Sequence, residues 1–204
     1  MSKNSWGIIK SIVFVLSLMP FLLLVNDTVQ DQLGANPIET LHFRLGDWAL
    51  RFLCIGLALT PLKKIFRQSW LIRFRRMMGL YAFFYASMHF LVYIVLDLSL
   101  SWSAFIDEVP QSPYILVGLF TFILLIPLAL TSNKAMQKRL GKSWIILHRL
   151  VYVAGISAIV HYLWLVKSDY NEPLFYAVLM FLLLGFRLAV FFRAKVVKAR
   201  AVND

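Results

Sequence analysis

The chain has 204 residues, of which 60% are hydrophobic and only 15% charged. Soluble domains usually carry about 25% charged residues, so the composition argues against a water-soluble fold. The formal net charge is +11, from 21 Lys and Arg against 10 Asp and Glu. Those positive charges lie between long apolar runs rather than on a polar surface, which points to a membrane protein with basic cytoplasmic loops and away from a nucleic-acid binder. The single cysteine, Cys54, rules out an intrachain disulfide, a cysteine-rich zinc site, an iron–sulfur cluster and a Cys-x-x-Cys-His haem attachment.

About 20 apolar residues cross the hydrocarbon core of a bilayer as a helix. In chain order, six such spans are expected: Trp6–Val25, Trp48–Ile65, Met78–Leu98, Tyr114–Leu130, Trp144–Val166 and Leu174–Phe192. The runs are continuous, without the alternation of a membrane barrel, so each is expected to be helical. No small-x-small cleavage site closes the first run; Val25-Asn26-Asp27-Thr28 follows it, so it reads as an uncleaved span rather than a signal peptide.

Every second connection is basic. Lys3 and Lys10 lead in; Lys63, Lys64, Arg67, Arg73, Arg75 and Arg76 join spans two and three; Lys134, Lys138, Arg139 and Lys142 join spans four and five; Arg193, Lys195, Lys198 and Arg200 end the chain. The alternate connections carry Asp27, Asp31, Glu39 and Asp47, then Asp97, Asp107 and Glu108, then Asp169 and Glu172. Both termini are therefore expected in the cytoplasm. The reading is an all-α polytopic membrane protein, a six-transmembrane-helix bundle forming one domain over residues 1–204, in a bacterial inner membrane. The loops are too short for a soluble catalytic or nucleotide-binding domain, and no Gly-rich phosphate loop occurs. The stretch Lys63–Arg76, alternating basic and apolar residues, reads as an amphipathic helix on the inner leaflet.

Ionisable residues inside a bilayer are costly and mark function. Of four histidines, His42 lies in the first outer loop, His89 in span three, and His148 and His161 in span five. Odd-numbered spans run the same way, so depths can be compared along them at about 1.5 Å per residue. His89 and His161 fall in the middle or outer half, and His148 near the inner end. Two imidazoles opposed across a bundle suit a six-coordinate b-type haem. Zinc wants more ligands than these spans offer, and a proton relay usually includes buried carboxylates, which they lack. His148 has no depth-matched histidine on span three; Arg75, fourteen residues before His89, lies within about 40° of the same helical face and is its counterpart. The thirteen residues from His148 to His161 rotate about 220°, so a bend, a π-bulge or two different approach angles must reconcile them.

The run Arg75-Arg76-Met77-Met78-Gly79-Leu80 leading to His89, together with Leu147-His148-Arg149 and His161, resembles the ferric reductase-like transmembrane family, which includes the membrane cores of NADPH oxidases and metalloreductases. More narrowly, it looks like the haem-binding membrane subunits of periplasmic methionine sulfoxide reductase systems, over nearly the whole chain. The resemblance implies an electron conduit through b-type haem, one or two per chain, to a periplasmic molybdopterin reductase. It also implies FMN, and electrons supplied by the quinone pool or a cytoplasmic flavin reductase. The wider family's oxidases carry two histidine pairs. Here His89 and His161 would ligate an outer haem, while the inner site has His148 with Arg75 in the fourth position.

Arg51 and Arg149 are candidates for haem propionates, with snorkelling to the interface as the plainer reading. Arg187 reads as a snorkelling anchor, and His42 with Arg44 as either solvated loop residues or a partner contact. An FMN phosphate would favour Arg75, Arg76, Arg139 and Lys142. Two other functions fit the pattern less well: a stand-alone extracytoplasmic ferric reductase, and a proton or metal transporter using the buried histidines.

Overall fold

The computed structural model describes residues 3–203, and the side chains of residues 5–194. The expected basic groups of Lys3, Lys195, Lys198 and Arg200 fall outside the described side chains. The described chain is helical throughout, joined by turns: α1 (Lys3–Val29), α2 (Pro37–Phe66), a 3₁₀ turn (Ser69–Phe74), α3 (Arg75–Val92), a π-helical turn (Tyr93–Asp97), α4 (Trp102–Gln111), α5 (Pro113–Leu130), α6 (Lys134–Leu140), α7 (Lys142–Leu147), α8 (Leu150–Leu165) and α9 (Asn171–Asn203). Among the described residues, five helical segments are long and apolar enough to cross a membrane: Ser5–Val29, Ser69–Asp97, Pro113–Leu130, Lys142–Leu165 and Asn171–Ala194. The protein is an all-α polytopic membrane protein.

The remaining expected span, Trp48–Ile65, lies inside α2, the axis of the bundle, which packs against α1, α3, α8 and α9. Its mid-span charge, Arg51, is used internally, while Lys63 and Lys64 near its basic end are exposed. Arg51 donates to the Tyr176 hydroxyl at 2.9 Å and to Asp47 at 3.3 Å. Asn36 caps the helix, its side chain accepting from the Glu39 N–H, and Pro37 occupies the first turn, where its missing N–H costs nothing.

Side chains from neighbouring helices bond backbone groups at the proline of α2 and beside that of α1. Pro61 offers no N–H to the Leu57 carbonyl four residues back. Arg187 on α9 donates to that carbonyl at 2.5 Å and to the Tyr152 hydroxyl at 3.2 Å. The snorkelling expected of Arg187 is thus replaced by an inward turn, because an unpaired carbonyl in a lipid-surrounded bundle is a stronger attraction than the interface. In α1, one residue beyond Pro20, the Tyr85 hydroxyl accepts from the Phe21 N–H at 3.1 Å and donates to the Ser17 carbonyl at 2.9 Å. Tyr85 is fully buried, its ring stacked on Phe52 with centres 5.3 Å apart.

A second apolar cluster, including Leu50, Cys54, Leu57, Ile159, Tyr162 and Met180, joins α2 to α8 and α9. The Cys54 thiol is buried and free. Large apolar side chains such as Leu16, Phe181 and Leu188 are exposed, as lipid-facing residues are.

Two local expectations change: His42 lies within α2 rather than in a loop, and the basic stretch before α3 is interrupted. Lys63–Arg76 is not one surface helix: α2 runs to Phe66, Arg67 turns it with a left-handed φ of 55°, and the 3₁₀ turn leads into α3. Span five is broken at His148 and Arg149 into α7 and α8, a bend that is one of the ways expected to reconcile the thirteen-residue spacing. The loop 99–113 contains α4, capped by the Ser101 side chain, with Trp102 and Ile106 exposed.

Candidate functional site

The helices meet at two ends of contrasting charge. At the acidic end, Asp27 pairs with Arg44 at 2.5 Å, and Asp97 pairs with His42 at 2.5 Å. These pairs tie the end of α1 and the π-helical turn to the start of α2. Toward this end, His89 of α3 and His161 of α8 come together, their ring centres 6.2 Å apart and their planes at 81°. His89 donates Nδ1–H to the backbone carbonyl of His42 at 3.0 Å. His161 donates Nδ1–H to the carbonyl of Tyr114 at 2.7 Å. A carbonyl can only accept, so both rings carry their proton on Nδ1 and leave Nε2 with a free lone pair, the arrangement of a metal-ligating histidine.

The spacing tests whether one iron fits between them. At metal–imidazole bonds of about 2 Å, two rings on opposite sides of one metal ion have centres roughly 6 Å apart, which the observed separation meets. Among the described residues, no group of three or more His, Cys, Asp or Glu side chains is placed to hold a metal ion. The donor set is two neutral nitrogens, which suits an iron whose other ligands come from a porphyrin. The ring of His42 stands edge-on to His89, centres 5.1 Å apart, so three histidines run in sequence from the site to the acidic end.

At the basic end a cavity of about 260 Å³ opens between the α2–α3 and α5–α8 junctions. Arg75, Arg76, Gln137, Ser132, Trp144 and His148 supply its polar lining, and Leu53, Leu57, Phe83 and Leu125 part of its apolar wall. His148 lies at the α7–α8 break, stacked on Trp144 with ring centres 3.9 Å apart. Thr131 gives its hydroxyl proton to the Pro127 carbonyl at 2.6 Å and accepts from His148 Nε2 at 3.0 Å. Arg75 and Arg76 are exposed at the cavity. Arg149 is exposed beside His148.

Arg51 is hydrogen-bonded to neither histidine group. It lies over the Trp48 ring, 4.9 Å from its centre, and is bonded to Tyr176 and Asp47. Tyr162, next to His161, donates to Glu172 at 3.0 Å, so a polar cluster from α2, α8 and α9 flanks the α8 histidine. No site role is legible in the sequence for Thr131, Asp97 or the Tyr114 carbonyl. Each acquires meaning only through a partner on another helix, and no local pattern marks it.

The family model for the ferric reductase like transmembrane component matches residues 45–159, a segment that holds His89, His148, Arg75 and Arg149. Curated relatives align over most of their length. A protein of Xanthomonas oryzae pv. oryzae (strain MAFF 311018) named protein-methionine-sulfoxide reductase heme-binding subunit MsrQ is 44% identical, over 98% of this chain and 95% of its own. Proteins of the same name are 46% identical in Xanthomonas euvesicatoria pv. vesicatoria (strain 85-10), over 92% of this chain and 89% of theirs, and 47% identical in Herminiimonas arsenicoxydans, over 87% and 83%. No solved structure matches the chain. The chain therefore belongs to the ferric reductase-like transmembrane family and, within it, to the MsrQ family.

Proposed function

We propose that the protein carries electrons across a bacterial inner membrane to the periplasmic molybdopterin reductase MsrP, supporting repair of oxidised methionines in periplasmic proteins. Residues 1–204 act as one domain with both termini in the cytoplasm, in keeping with the basic connections. The acidic end then faces the periplasm. His89 and His161 hold a b-type haem there, and the observation that carries the reading is their 6.2 Å separation with both Nδ1 atoms committed to backbone carbonyls. When bound, the haem supplies a one-electron carrier whose potential is set by its axial ligands and its burial. The chain's own part is to keep both Nε2 atoms free, to fix the rings before an electron arrives, and to exclude water with apolar walls.

The basic-end cavity is the entry. Arg75 and Arg76 recognise an anionic group there, either the propionates of a second b-type haem beside His148 or the phosphate of FMN, with Arg139 and Lys142 near in sequence. Ligation by His148 requires its Nε2 to leave Thr131 and give up its proton. Arg149, next to His148 in sequence, would serve a propionate, and Arg51 would do so by leaving Asp47 and Tyr176. The donor is the quinone pool or a cytoplasmic flavin reductase, since the loops hold no nucleotide-binding domain. Sulfoxide reduction itself belongs to the partner.

The test is an optical redox titration of purified protein, with haem and flavin quantified in the same sample. A low-spin haem spectrum that His89→Ala and His161→Ala each abolish is expected. A folded, colourless protein that takes up no hemin would overturn the reading. Reconstitution with MsrP and a methionine sulfoxide substrate separates this role from a stand-alone ferric reductase, which would reduce ferric chelates and leave MsrP idle.

A further inference from the structure

The two histidines are seated by the same device on two different helix pairs. His89 of α3 donates to the carbonyl of His42 on α2; His161 of α8 donates to the carbonyl of Tyr114 on α5. Each histidine lies 47 residues beyond its acceptor. Four residues after each acceptor stands a glycine: Gly46 after His42, and Gly118 after Tyr114. A helical carbonyl points at the N–H four residues on, so a ring reaching that carbonyl from the side passes close to the residue at that position.

The space there is measurable. A Cβ at Gly118 would stand 2.8 Å from His161 Nδ1 and Cε1, closer than such atoms approach. A Cβ at Gly46 would stand 3.4 Å from the same two atoms of His89, a tight but tolerable contact. By contrast, a Cβ at Gly185 would meet nothing within 4 Å. The helix segments concerned, His42-Phe43-Arg44-Leu45-Gly46 and Tyr114-Ile115-Leu116-Val117-Gly118, share only the glycine. The device is therefore repeated in structure and nearly invisible in sequence.

We propose that Gly46 and Gly118 are positioning residues for the two haem-ligating imidazoles, each clearing the path by which Nδ1–H reaches a backbone carbonyl and so presents Nε2 to the iron. The inference rests on the haem reading above and adds to it the groups that set ring position and tautomer. Loss of such supporting contacts to a metal-ligating histidine weakens metal binding by about 10- to 100-fold. The two seats are unequal: Gly118 tolerates no methyl without moving His161, whereas Gly46 requires only a few tenths of an ångström from His89.

The experiment uses purified full-length haem protein, with Gly118→Ala, Gly46→Ala and Gly185→Ala read by haem retention, optical spin state and low-temperature electron paramagnetic resonance. Gly118→Ala is expected to lose haem at least about tenfold more readily and to shift the remainder toward a high-spin form. Gly46→Ala is expected to keep its haem with an altered low-spin signal, and Gly185→Ala to match the parent. If Gly118→Ala does not accumulate, the double variant Gly118→Ala/His161→Ala decides. Removing the ring that the methyl strikes is expected to restore accumulation to the level of His161→Ala alone, and no restoration overturns the proposal. Parent and both seat variants with identical low-spin signals overturn the positioning role alone. A parent with no low-spin haem overturns the haem reading and the role together.

Discussion

Arg187 is deep in a membrane helix because Pro61 leaves a carbonyl without a donor, and this pairing predicts a measurable coupling. Arg187→Met keeps most of the side-chain bulk and removes the guanidinium. The lost bond to the Leu57 carbonyl is charge-assisted and worth about 1.5–3 kcal/mol, and the weaker one to Tyr152 adds about 0.5–1 kcal/mol. The single substitution is therefore expected to destabilise the fold by about 2–4 kcal/mol. Pro61→Ala restores an N–H at position 61, which can close onto the Leu57 carbonyl as in any helix. In that background the carbonyl no longer depends on Arg187, and Arg187→Met should cost about 1–2 kcal/mol less. Reversible unfolding of the four proteins by sodium dodecyl sulfate in mixed micelles measures the cycle. A coupling within the roughly 0.5 kcal/mol of simple additivity would refute the assignment of Arg187 to the proline-opened carbonyl.

Other expectations follow from single contacts. Tyr85→Phe retains the stack on Phe52 but removes the hydroxyl between Phe21 and Ser17; a loss of about 1–3 kcal/mol is expected in the same assay, and no loss would show that α1 closes its own ladder there. The 81° between the His89 and His161 planes predicts a highly anisotropic low-spin ferric resonance; the narrower signal of parallel rings would contradict the geometry. Thr131→Val removes the acceptor that now holds His148 Nε2, so haem per chain should stay level or rise; a fall would assign Thr131 a supporting role at the basic-end cavity.

The sequence made the spans legible because lipid demands continuous apolar runs, and helix rise then placed His89 and His161 at comparable depth. The spacing between His148 and His161 left a bend as one of several resolutions, and neither proline nor glycine marks where it falls. The break at His148–Arg149 depends on packing around Trp144 and Thr131, which no local pattern encodes. α4 was hidden by its short length and by Pro110 inside it. Arg51 reads in sequence as a propionate or interface residue, because its partners Asp47 and Tyr176 are brought to it only by the fold. Gly46 and Gly118 look like ordinary helix glycines until a histidine from another helix is brought against each.

Cys54 is the chain's one thiol, and it is only 4% exposed between α2, α8 and α9. Maleimide labels and mixed-disulfide reagents should pass it by while the bundle is folded. Cysteines introduced singly around the acidic rim would then be the sole reactive handles, so spin labels and cross-linkers can trace how a redox partner approaches without any substitution in the interior.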